Sequence, residues 1–168
     1  MSEITKSKSG NLKTGVVMDP IGDIKTYKDS SFAMLLEAQR RGHEVFYMEP
    51  GDLYLEQGVA RATMPRLTVF HDPESWFSLA HPRSMALAEL DVILMRKDPP
   101  FDNEFVYTTY ILEEAERKGT LVVNRCASLR DCNEKIFATQ FPQCCPPVLV
   151  SADMSRLKAF HLEHRDVI

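Results

Sequence analysis

Short apolar runs that alternate with segments of helical period constrain this chain more than any other feature. Residues 14–18 (Thr-Gly-Val-Val-Met) are brief and rich in valine, as a buried strand requires, and they empty into the loop signal Asp19-Pro20-Ile21-Gly22. Beyond that loop, Asp29, Ser30 or Ser31 caps a helix whose Phe32, Leu35 and Leu36 share a face and which stops at Arg40-Arg41-Gly42. Residues 44–48 then supply a second strand. The resulting strand–helix–strand unit is expected to pair in parallel with a right-handed crossover.

The alternation resumes after an excursion. Leu53-Tyr54-Leu55, the turn Gln57-Gly58 and residues 59–70 read as a strand, a turn and another strand at the end of the sheet. Residues 91–95 form a buried strand. Asp102 or Asn103 starts a helix with Phe105, Val106, Tyr110, Ile111, Leu112 and Ala115 on its apolar side, and Gly119 stops it ahead of a strand over 120–123. Past Asn124 the character changes. Ser128 caps a helix through Phe141, prolines 142, 146 and 147 interrupt, and residues 148–150 open a β segment. Ser151 or Asp153 begins a helix carrying Leu157, Phe160 and Leu162, and residues 166–168 look like the start of a strand. The fold class expected is α/β, an open, mostly parallel, Rossmann-like sheet flanked by helices. A solvated extension covers residues 1–13, the main domain 14–124, and a linker with the start of a second domain 125–168.

Composition narrows the function classes. At 168 residues the chain holds one good core with a partial second domain. A net charge of −4 and a pI near 5.7 give no basic footprint for nucleic acid and no polybasic membrane anchor. The first thirteen residues lack an apolar signal core, and no apolar run approaches membrane-spanning length, so a cytoplasmic protein is expected. Cys126, Cys132, Cys144 and Cys145 show neither CxxC spacing nor accompanying histidines, which fits reduced thiols better than zinc or redox chemistry. His161 and His164 share a helical face without a third ligand, and the other histidines are isolated.

Several long stretches carry a resemblance. They are Gly15-Val-Val-Met-Asp-Pro20, the run from Lys28 to Gly42, Tyr47-Met-Glu-Pro-Gly-Asp-Leu-Tyr-Leu55 and Leu90-Asp-Val-Ile-Leu-Met-Arg-Lys-Asp-Pro-Pro-Phe-Asp102, followed by the run from Tyr110 to Thr120 and Ser128-Leu-Arg-Asp-Cys-Asn-Glu-Lys135. In this order and spacing they resemble the bacterial type of glutathione synthetase, an ATP-dependent ligase that joins γ-glutamylcysteine to glycine through an acyl phosphate. The likeness covers nearly all of the chain and roughly the first half of such an enzyme. It implies a pre-ATP-grasp substrate domain followed by the beginning of an ATP-grasp domain, with ATP and magnesium as cofactors. It also implies a homo-oligomer or a complementing second half. Lys135, in the intact Asn133-Glu134-Lys135 motif, is the residue it assigns to the ATP phosphates, where a cation offsets charge in the transition state. No catalytic residue and no metal ligand is assigned within the chain.

Substrate contacts are expected where strands end, because loops and helix starts converge there in open parallel sheets. The loop from Asp19 to Asp23 with Lys28-Asp29-Ser30-Ser31 offers carboxylates, hydroxyls and a helix start. The loop from Arg96 to Asp102 offers two cations and two carboxylates around a proline pair. Arg96 is suited to a bidentate carboxylate contact with γ-glutamylcysteine, and Asp19 or Asp98 to its ammonium group. Plainer roles compete: Ser30 and Ser31 as helix caps, Asp98 and Asp102 as caps or local partners of Arg96 and Lys97, and Lys135 as an exposed helix lysine paired with a glutamate.

Departures matter too. Arg125-Cys126 stands where the family pattern leads to a proline-bearing pair, a change expected to loosen the hinge between domains, and 143–147 is atypical. The second phosphate lysine, the glycine-rich loop and the magnesium ligands are expected beyond Ile168, so this chain is not expected to make glutathione alone. A non-catalytic α/β binding or assembly module is the alternative. A nucleotide-dependent oxidoreductase ranks below both, since no GxGxxG follows the first strand.

Overall fold

The computed structural model describes residues 11–167, with the backbone alone for Glu134. Most of the expected N-terminal extension (1–10) and Ile168 of the expected last strand lie outside these residues. Two compact units follow one another, one running to Ser128 and the other starting at Leu129.

The first unit opens with β1 (Lys13–Val17), α1 (Ser30–Arg40) and β2 (Glu44–Met48). Next come β3 (Leu53–Glu56), β4 (Val59–Met64), β5 (Arg66–Val69), β6 (Phe77–Leu79) and β7 (Arg83–Ala86), then β8 (Val92–Met95), α2 (Asn103–Arg117) and β9 (Leu121–Val123). Six of these strands form one sheet in the order β6-β5-β2-β1-β8-β9. Its heart is parallel: β1 lies between β2 and β8, and β9 follows β8 in the same direction. On the β2 side, β5 and β6 add antiparallel edges. The α/β class with a mostly parallel sheet is thus the observed one.

Burial explains why the central strands read as unbroken apolar runs. Val16, Val17, Val45, Phe46 and Met48 are all sealed from solvent, because both faces of a central parallel sheet are covered. One face packs Val16, Val45, Tyr47, Leu67 and Val69 against Phe32 and Leu35 of α1. On the other, Gly15 sits so close to Leu90 and Met48 that an added Cβ would lie 2.7 and 2.8 Å from their side chains. Burying each large side chain contributes about 1.5–3 kcal/mol, which makes this double-sided layer the main source of stability.

Residues 59–70 depart from the single strand expected. Pro65 divides them, and its missing N–H ends the β4 ladder there. As a result β4 joins β3 and β7 in a separate antiparallel sheet, while β5 returns to the main sheet beside β2. The turn Gln57-Gly58 does close the β3–β4 hairpin, with φ of 49° and 76° at its two residues, the geometry favoured by two-residue hairpins.

Helix α2 differs in its buried face. Thr108, Thr109, Leu112 and Ala115 are buried, whereas Tyr110 is 49% exposed and not on the core side. The two threonines tolerate burial because their hydroxyls donate to the carbonyls of Glu104 and Val106 on the preceding turn. Hydrophobic period alone could not distinguish threonine in this role.

The second unit holds no strand among its described residues. Where one helix was expected from Ser128 to Phe141, α3 (Cys126–Asp131) ends early and α4 (Glu134–Phe137) starts afresh. The cause is Asn133, whose side-chain oxygen accepts the N–H groups of Lys135 and Ile136 as a new cap. Residues 148–150 are not a strand either: Val148 and Val150 are half exposed, and no described strand offers them a ladder. The last helix, α5 (Met154–His164), is capped by Asp153; its Leu162 is 78% exposed, and residues 166–167 are irregular where a strand was expected to start. Residues 146–149 and α5 line an apolar cleft of about 1010 Å³. Among the described residues no disulfide joins the four cysteines, and Cys126 is the buried one.

Gly119 ends α2 with φ of 101°, and nothing lies within 4 Å of where a Cβ would stand. Gly119→Ala should therefore cost only the backbone strain, about 1–2 kcal/mol, read as a lower urea midpoint with unchanged slope.

Candidate substrate site

Strand order locates the site. From β1 the chain moves to β2 on one side, while β8 and β9 lie on the other, so the connections part at the carboxyl ends of β1 and β8. Such a switch point leaves a crevice that no crossover covers. Val17 stands opposite Met95 in the parallel register, so Met18-Asp19 and Arg96-Lys97-Asp98 emerge side by side. The Arg96 N–H donates to the Val17 carbonyl at 2.7 Å, fixing the Arg96 backbone as an extension of the ladder.

Helix α1 opens against these loops. Its cap, Asp29, accepts the Phe32 N–H at 2.7 Å, and Ser30 and Ser31 form the first turn. The Arg96 side chain reaches them, with Nε donating to Ser31 Oγ at 2.9 Å and Nη2 to Ser30 Oγ at 3.0 Å. The side-on pair of the guanidinium, Nε with Nη2, is thereby committed to serines, and the end-on pair of Nη1 with the second Nη2 proton stays available for a carboxylate. No carboxylate pairs with Arg96 among the described residues. In an α-helix the first-turn N–H groups lack intrahelical acceptors. Asp29 takes only that of Phe32, which leaves the N–H groups of Ser30 and Ser31 beside the two hydroxyls.

Acidic groups complete the pocket. Asp19 Oδ1 pairs with Lys97 Nζ at 2.9 Å, and its Oδ2 accepts the Asp98 N–H at 3.0 Å. Burial works to raise the Asp19 pKa, but these two bonds more than offset it and hold the carboxyl below its ordinary value. Asp102 does not reach this cluster; it caps α2 through the Phe105 N–H at 2.9 Å. Asp19, Ser30, Ser31, Arg96 and Asp98, all singled out from sequence, line one pocket of about 210 Å³, together with Lys28 and Asp29.

Two supports behind the pocket left no legible signal. The Tyr47 hydroxyl, at the end of β2, accepts the Ile21 N–H at 3.1 Å and donates to Glu49 at 2.7 Å. Burial, reinforced by the Glu49 carboxylate, raises this phenol well above its ordinary pKa and keeps its proton in place. From the other direction, Nε1 of the chain's single tryptophan, Trp76, donates to the Ile21 carbonyl at 3.1 Å. Ile21 is thus held by its N–H, its carbonyl and its buried side chain, which fixes the loop behind Asp19. A sequence pattern shows Tyr47 and Trp76 only as apolar mass.

Lys135 belongs to the second unit, exposed on α4 beside the Asn133 cap. Among the described residues, no group of three or more His, Cys, Asp or Glu side chains is arranged to hold a metal ion. No described helix is long and apolar enough to cross a membrane.

Comparison with known proteins gives this geometry a family. The model of the prokaryotic glutathione synthetase N-terminal domain matches residues 12–130. The chain is 61% identical over 158 residues to glutathione synthetase of Pseudomonas aeruginosa and 59% identical over 157 residues to that of Escherichia coli K12. It is 54% identical over 157 residues to that of Vibrio vulnificus. Each alignment takes in 94% of this chain and 50% of the relative, so the chain spans about half the length of these curated relatives. Since the matched residues contain α1 and both pocket loops, the chain belongs to the prokaryotic glutathione synthetase family and carries that family's N-terminal domain.

Proposed function

We propose that the first unit is the substrate domain of an ATP-dependent ligase and that its pocket takes the glutamyl end of γ-glutamylcysteine. The carrying observation is the pocket's mixed polarity. Arg96, the hydroxyls of Ser30 and Ser31 and the first-turn N–H groups of α1 are donors for a carboxylate, while Asp98 lies within the same 210 Å³ as an acceptor for an ammonium group. An α-amino acid end carries both charges side by side, and each partner here is charge-assisted. Residues 129–168 are the start of the ATP-binding domain in this reading, with Lys135 set against the ATP phosphates. When bound, ATP would supply the phosphoryl group that activates the peptide's carboxyl, so that the amine of glycine can displace phosphate from it. Magnesium, expected alongside ATP, has no three-residue cluster among the described residues. The whole reaction, with glycine as second substrate, a homo-oligomeric assembly and a cytoplasmic setting, belongs to the full-length ligase proposed.

Two measurements test this. In calorimetric titration the chain should bind γ-glutamylcysteine, and Arg96→Ala should weaken binding by roughly 10- to 100-fold, the worth of hydrogen bonds to a charged group. An affinity unchanged by the substitution in a folded variant removes Arg96 from the site. For the second unit, this chain is joined to the complementary half of the Pseudomonas aeruginosa relative, and phosphate release is followed with both substrates present. Lys135→Ala should cut turnover in the fusion by roughly 100-fold, the scale of losing one preorganised transition-state contact. Normal ATP dependence and turnover in that variant would refute the phosphate role.

A further inference from the structure

Three groups from the ends of β1 and β8 make a closed set of contacts. Lys97 Nζ lies 2.9 Å from Asp19 Oδ1 and donates to the backbone carbonyl of Asp98 at 2.6 Å, while the Asp98 N–H donates to Asp19 Oδ2 at 3.0 Å. Both Asp19 oxygens are therefore engaged within the chain. The Lys97 side chain is 22% exposed, held between these two partners. By contrast, the Asp98 carboxylate has no hydrogen-bond or ion-pair partner among the described residues, although it lines the pocket. The two acidic residues, alike in sequence, stand in different states.

We propose that Lys97 is a positioning residue: it ties Asp19 to the Asp98 backbone as a brace, which leaves Asp98 as the carboxylate that receives the ligand's ammonium group. This division of labour rests on the substrate reading given above. Lys97 touches no ligand in it. Its ammonium neutralises Asp19, which would otherwise compete for the ligand's cation, and the two residues together hold the Asp98 backbone, Lys97 at its carbonyl and Asp19 at its N–H, so that the carboxylate is presented from a fixed backbone. Preorganised contacts of this kind spare the ligand the ordering of a loop. Arg96, one residue earlier and bonded to Val17, is placed by the same pair of strands. A brace at positions 97 and 98 therefore sets the spacing between the pocket's donor and acceptor ends.

The test uses the intact chain and two ligands: γ-glutamylcysteine and its analogue lacking the α-amino group. Hydrogen exchange at the Asp98 amide reads the brace without any ligand. Lys97→Met should speed that exchange by at least about tenfold, and Lys97→Arg should restore much of the protection. In titrations, Lys97→Met and Asp98→Asn should each weaken γ-glutamylcysteine by about tenfold, on the scale of one charge-assisted bond, and should affect the deamino analogue far less. Asp19→Asn, which keeps an oxygen for the Asp98 N–H, should penalise both ligands alike. Unchanged Asp98 exchange in Lys97→Met overturns the brace. An ammonium-dependent loss in Asp19→Asn with none in Asp98→Asn overturns the division of roles. If Lys97→Met fails to fold, Lys97→Gln gives the same readings. Should the unaltered chain not bind γ-glutamylcysteine, the substrate reading falls, and the exchange measurement still decides the brace.

Discussion

The parallel register between β1 and β8 is the constraint on which the site depends. It places Val17 opposite Met95, and the hydrogen bond from Arg96 to Val17 extends it one residue beyond the strands. Two loops far apart in the chain are thereby delivered to the same edge. A one-residue slip would turn every side chain to the other face, sending the Val16 set into the opposite layer and displacing Arg96 from the two serines. Apolar packing on both faces opposes that slip. The geometry of a polar pocket is in this sense held largely by residues that do not line it.

Around that register, the polar contacts are arranged in tiers. Asp19, Arg96 and Asp98 line the pocket, Val17 holds the Arg96 backbone while Lys97 and Asp19 hold that of Asp98, and Tyr47 with Trp76 fastens Ile21 farther back. Within the described residues, no buried side-chain nitrogen or oxygen lacks a partner. That completeness matters because an unpaired polar group in a dry layer costs about 1–3 kcal/mol. The second unit is built differently. Its α5 leaves Met154 and Leu162 largely exposed, has no buried residue, and lines an apolar cleft together with residues 146–149.

Much of the first unit was legible because its signals were local. Asp29 before a helical period, Gly42 and Gly119 after one, and Gln57-Gly58 between strands all specify backbone geometry with few alternatives. The gathering of Asp19, Ser30, Ser31, Arg96 and Asp98 in one pocket was also accessible, since parallel strands present their following loops at one edge. What remained hidden depended on distance or competition. The division at Pro65 sends β4 and β5 to different sheets, a choice made by long-range pairing. Asn133 outcompetes a continuous helix, and buried Thr108 and Thr109 satisfy themselves on their own backbone. Which of two aspartates is already engaged is likewise a matter of three-dimensional bonding.

The contacts between Arg96 and the two serines have one more consequence. A serine oxygen that accepts from a guanidinium must turn its own proton elsewhere, so Ser30 and Ser31 present O–H donors beside the remaining N–H groups of the arginine. This end of the pocket is therefore rich in donors, although each serine oxygen keeps one lone pair besides the one the guanidinium takes. A carboxylate, which only accepts, is complementary to those donors. A primary carboxamide of nearly the same shape would bring two N–H bonds toward a surface where donors outnumber the acceptors left to meet them. By donor count as well as by charge, such a surface suits an acid better than its amide, a preference that size alone would not give.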